Sequence, residues 1–108
     1  MPSRLGLVAA VANRHTEFRR LPFPDETLYR DSEAPQLTDL QSRLDACATA
    51  YLTNLGHIAA PTRDFLAETI HEIERLVRPS YTALNSYLLV WLRFARLVAY
   101  AAAATSDH

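Results

Sequence analysis

The chain has no lysine, only two glycines and a single cysteine, and each scarcity closes off a group of structures. With Gly6 and Gly56 alone there is no glycine loop to cradle a phosphate and no supply of the tight turns from which hairpins are built. Cys47 has no second cysteine to pair with, and none of Asn13, Asn54 and Asn85 begins an Asn-x-Ser/Thr acceptor. Nothing points to secretion, so the expected location is intracellular, in the cytoplasm. Basic charge is carried by 11 arginines against 12 acids, for a net charge of -1 with no long basic run. That balance offers neither nucleic acid nor an anionic membrane a field to follow, and nucleic acid is not an expected partner.

What the chain does have is apolar content arranged with helical spacing. At 49% apolar and 21% charged residues over 108 positions, it has enough to bury for one folded domain and no room for a second. Leu5, Val8, Val11 or Ala12, His15 and Phe18 recur at steps of three and four, which predicts a first helix over about 4–20, stopped by Pro22 and Pro24. Arg4, Arg14, Arg19 and Arg20 against the single acid Glu17 give this segment the composition of a targeting peptide, but its periodicity favours an ordinary helix.

Residues 21–37 contain Pro22, Pro24 and Pro35 among alternating acids, a linker pattern. It is expected to wrap over the bundle, pinned by Leu21, Phe23, Leu28 and Tyr29, with one helical turn around Asp25 to Arg30. Leu28-Tyr29-Arg30 resembles the tripeptide of the mitochondrial LYR proteins, small three-helix assembly factors that bind acyl carrier protein. In that family the tripeptide lies in the first long helix, whereas here prolines bracket it, and the resemblance ends with those three residues.

Thr38 followed by Gln41 reads as a capping box opening a second helix over about 38–58, with Leu40, Leu44, Cys47, Tyr51, Leu55 and Ile58 on its apolar face. Pro61 and Thr62 start a third, about 62–78, with Leu66, Ile70, Ile73 and Val77 on one side and Glu68 and His71 on the other. Ser80 is placed to cap a fourth, about 80–105.

The fourth helix differs from the rest in carrying two apolar seams. Leu84, Leu88, Trp91, Ala95, Val98 and Ala102 form one, and Ala83, Tyr87, Val90, Phe94, Leu97 and Ala101 form a second beside it. At about 100° per residue, Asn85, Ser86, Arg93, Arg96 and Tyr100 collect in one narrow polar wedge. The fold expected is therefore all-α: a small antiparallel bundle of three to four helices with the apolar C-terminal helix at its centre. Residues 87–104 are long enough to be considered as a membrane span, but Arg93 and Arg96 at mid-segment each cost about 2.5–3.5 kcal/mol there, so protein cover is expected instead of lipid.

Catalytic and ligand chemistry finds little support. Glu68 and His71 have the Glu-x-x-His spacing of ferritin-like metal bundles, and Glu72 adjoins them. One such motif is incomplete without carboxylates from a facing helix, and it lies on the polar side. No serine or cysteine has a nucleophile context, and Cys47 sits on an apolar face as a small core residue. No cofactor and no catalysis are expected.

The leading expectation is a non-enzymatic protein-protein interaction module, an adaptor, assembly or structural subunit of a homo- or hetero-oligomer. Tyr87, Val90, Trp91, Phe94, Leu97 and Val98 are its candidate interaction residues, because two seams exceed what three neighbouring helices readily cover. The alternative is a metal-binding or redox bundle using Glu68, His71 and Glu72.

Overall fold

The fold, taken from a computed structural model, is described for residues 3–77 and 82–106. Four helices, α1 (Arg4–Arg20), α2 (Ala34–Thr53), α3 (Ala60–Leu76) and α4 (Thr82–Ser106), form an antiparallel all-α bundle, with no strand among the described residues. The helix α4 packs against each of the other three, the central position its two seams call for.

On α1 the buried residues are Leu7, Val11, His15 and Phe18, steps of four, four and three that stay on one side of the helix. Leu5 does not join them. It lies two residues before Leu7, about 200° around the helix, and is 73% exposed. Ser3 caps the helix by accepting from the Gly6 N–H at 3.0 Å.

The linker is shorter than its prolines suggest. It folds into two 3-10 turns, Glu26–Leu28 and Asp31–Glu33, the first fixed by Asp25 Oδ1 accepting from the Thr27 N–H at 2.9 Å. Leu21, Phe23, Leu28 and Tyr29 pack onto the core, as their apolar character requires. The Leu28-Tyr29-Arg30 tripeptide thus lies in this linker and outside α1.

The second helix begins at Ala34, four residues before the Thr38 capping box, which goes unused. Pro35 occupies the first turn, where its missing N–H has no helical partner to lose, so it starts the helix and does not break it. At the other end α2 stops at Thr53, short of the expected 58. The Gly56 N–H donates to Tyr51 O at 2.8 Å and the Leu55 N–H to Leu52 O at 3.2 Å, a Schellman closure. Such a closure puts its left-handed residue at Leu55 (φ 52°), one position ahead of Gly56. Leu55 is also 57% exposed, so it holds a left-handed conformation without much burial in return. Leu55→Gly is therefore expected to raise stability by about 1 kcal/mol, since the left-handed backbone costs a leucine about 1–2 kcal/mol. Urea denaturation checks this, and a lowered midpoint would show that the leucine side chain matters more than its backbone.

Gly56 itself is required on two counts. Its φ is 100°, and a Cβ there would lie 3.2 Å from Arg4 Cγ and 3.3 Å from Val8 Cγ2, where the start of α1 crosses the turn.

The helix α3 starts at Ala60, with Pro61 in its first turn, and ends at Leu76. It buries Leu66, Thr69 and Ile73; Thr69 satisfies its hydroxyl on Phe65 O at 2.9 Å. The expected termination at Pro79 and the cap at Ser80 lie outside the described residues. Along α4 every member of the first seam is buried: Leu84, Leu88, Trp91, Ala95, Val98 and Ala102. Leu92, assigned to neither seam, is buried as well and widens the covered arc to about half the circumference. Tyr51 is fully buried, and among the described residues its hydroxyl finds no hydrogen-bond partner, a local cost set against the burial of its ring.

Candidate functional site: a groove between the first and last helices

Where α1 and α4 meet, aromatic side chains set the spacing. Phe18 stacks on Phe94 with ring centroids 5.0 Å apart and meets Trp91 edge-on at 6.4 Å, while His15 lies flat against Phe94 at 5.9 Å. Phe23 of the linker reaches Trp91 at 6.5 Å and closes the cluster from the side. The far side of His15 is held by α2: its Nε2 lies 2.7 Å from Asp45 Oδ1, and Arg19 Nε lies 3.4 Å from the same oxygen. This polar tie fixes α1 in rotation, so that Phe18 and Leu21 face α4.

Beside the cluster the two helices leave a groove of about 550 Å³ between them. Its floor is Phe18 from α1 and Leu21 just past its end, with Val90, Phe94 and Leu97 from α4. Its rims are charged: Arg14 and Glu17, joined at 2.9 Å on α1, and Arg93 on α4. Arg93 has no ion pair among the described residues. Arg96, nearly one turn further, is held to Glu74 of α3 at 2.9 Å.

The six expected interaction residues divide at this groove. Trp91, Phe94 and Val98 are 1%, 5% and 1% exposed and are packed within the chain's own core. The second seam is covered at Phe94 and Ala101, because Phe18 and the neighbouring helices reach that far, and left open at Val90, which is 43% exposed. Tyr87 and Leu97 are half-buried. Two features escaped the sequence reading. Phe18 and Leu21 supply two of the five apolar floor residues, although Phe18 was marked only as part of an internal stripe and Leu21 only as a pin of the linker. Leu89, which fits neither seam, stands in the middle of the polar wedge and is 40% exposed. The outward face of α4 is thus apolar and charged by turns: Leu89, Val90, Arg93, Leu97 and Tyr100.

The metal alternative loses its ligands to other partners. Glu72 is engaged by Arg43 at 3.0 Å, and His71 Nδ1 lies 3.3 Å from Glu74 Oε1 on an exposed surface. Glu68 lines the same shallow depression, but among the described residues no three His, Cys, Asp or Glu side chains are grouped to hold a metal ion. Arg43 also takes Asp39 at 2.6 Å and lies 5.4 Å from the centre of the Phe65 ring. Its hydrogen bond to the Glu72 carboxylate raises the Arg43 pKa above the usual arginine value, so this cluster is a fixed ion-pair network between α2 and α3.

Cys47 is 1% exposed, and burial pushes its thiol pKa up. A buried, protonated thiol is a poor nucleophile. It is expected to resist a disulfide reagent in the native protein and to react at the rate of global unfolding; prompt stoichiometric labelling in buffer would contradict its placement.

Residues Ala83–Ala104 are long and apolar enough to cross a membrane by length and composition, but this stretch is also the helix around which the bundle is packed. No protein-family model, curated protein or solved structure matches the chain. Function must therefore be read from the groove.

Proposed function

We propose that the chain is a non-enzymatic helical interaction subunit that docks onto protein through the α1–α4 groove and the adjoining outward face of α4. The observation that supports this reading most directly is the contrast between the two sides of α4. One side buries Leu84, Leu88, Trp91, Ala95, Val98 and Ala102 within the chain itself, while the other presents Leu89 and Val90, 40% and 43% exposed, beside an apolar floor. Contiguous apolar surface with charged rims is a mark of a protein-binding surface. A small-molecule site would place a few polar groups inside the cavity to orient a ligand. Here Arg14, Glu17 and Arg93 stand at the exposed edges instead.

The shape suits an amphipathic helix, which lays side chains spaced at three and four residues into such a groove. The test is recovery of bound protein from the source cells with the native chain as bait and, in parallel, with the Val90→Glu/Leu97→Glu double variant. A bound species, whether another protein or an untagged copy of the chain, should be retained by the first and lost with the second. Identical recovery with both baits, or none with either, would overturn the reading.

A further inference from the structure

We propose that the groove is filled by a second copy of the chain, the outward ridge of α4 of each copy entering the α1–α4 groove of the other across a two-fold axis. This rests on the groove being a docking surface and adds its occupant. Three observations favour a copy over an unrelated helix.

The rim carries both signs. Glu17 stands on the α1 side and Arg93 on the α4 side, and Arg93 has no ion pair among the described residues. In a two-fold interface every contact occurs twice, so Arg93 of one copy meets Glu17 of the other and the reverse pair forms at the same time. Arg14 lines the α1 side as well, so an acidic helix would satisfy Arg14 and Arg93 but repel Glu17, while a basic helix would satisfy Glu17 alone. Glu17 already touches Arg14, but that pair is about two-thirds exposed and leaves the carboxylate free to take a second cation.

Ridge and groove also lie side by side. Val90 and Leu97 belong both to the groove floor and to the outward face of α4, and Leu89 and Tyr100 extend that face along the helix. A self-complementary interface needs this adjacency, because each copy must give a ridge and receive one. Finally, a net charge of -1 sets almost no long-range repulsion against two copies meeting.

Equilibrium sedimentation of the full chain, from micromolar to near-millimolar concentration, tests the pairing in four forms: native, Arg93→Glu, Glu17→Arg and the double reversal. The native chain should pass from monomer to dimer and no further. Each single reversal should weaken the dimer about tenfold or more, and the double reversal should restore most of the loss. Far-UV circular dichroism confirms that each variant is folded; should one fail, the native dimer is still required to weaken as salt is added. A chain that is monomeric throughout, a dimer equally stable in all four forms, or open-ended association overturns the proposal. A native monomer whose Val90→Glu/Leu97→Glu variant still loses a cellular protein overturns the second copy and leaves the groove as a docking surface. A dimer untouched by that double variant overturns both.

Discussion

Trp91→Ala is expected to lower stability by about 3–5 kcal/mol, the cost of truncating a large aromatic in a packed core. Trp91 is 1% exposed at the centre of α4, in contact with Phe18 of α1 and Phe23 of the linker, so its loss loosens three segments together. Phe94→Ala belongs to the same class: its ring stacks on both Phe18 and His15, and its removal leaves the polar tie from His15 to Asp45 without the surface that backs it. For a domain of this size such losses should lower the melting temperature by at least about 10 °C. Thermal unfolding followed by circular dichroism measures this, and a change of only a few degrees would mean that the aromatic cluster does not hold α1 onto α4.

The Val90→Glu/Leu97→Glu variant should show the opposite pattern, with the fold kept and binding lost. Val90 is 43% exposed and Leu97 half-buried, so carboxylates placed there are solvated in the free chain. The melting temperature should fall less than for Trp91→Ala, because surface substitutions commonly cost about 0.5 kcal/mol or less and Leu97 adds a modest loss of packing. At an interface the same two changes remove two apolar anchors and bury two charges without partners. Each anchor is worth about 1.5–3 kcal/mol when fully covered, which puts the combined loss of affinity at about 100-fold or more. Titration against whatever species the native chain retains gives the ratio directly. If the variant unfolds as readily as Trp91→Ala, Val90 and Leu97 are core residues and the division across α4 is wrong.

That division was half legible in the sequence. The first seam could be read from spacing alone, because a stripe at steps of three and four needs cover whatever the tertiary structure. The second could not be apportioned, since burial of Phe94 but not of Val90 depends on where Phe18 and Leu21 arrive from a helix some seventy residues earlier in the chain. Leu89 was hidden for a related reason: one leucine among arginines breaks no periodicity, and only its exposure singles it out. The error at the start of α2 is local. Thr38 and Gln41 have the spacing of a cap, but Pro35 is preorganised for a first turn, and Glu33 accepts from the Arg30 N–H at 2.8 Å to close the turn ahead of it. Similarly, α2 was expected to run to about 58, but it stops at Thr53 with Leu55 left-handed, because the closing hydrogen bonds run to Leu52 and Tyr51. The incomplete Glu68 and His71 motif was readable as such from the lack of a facing carboxylate, and the pairing of Glu72 with Arg43 supplies the rest of the explanation.

The most direct test of α4 as a helix with one face for the fold and one for a partner is hydroxyl-radical footprinting, carried out on the free chain and on the assembly it forms. In the free chain Leu89, Val90 and Tyr100 should label while Trp91 and Phe94 stay protected; in the assembly Val90 and Leu97 should become protected, with Trp91 unchanged. Equal labelling of Val90 and Leu97 in both states, with protection appearing on another face of the bundle, would contradict it.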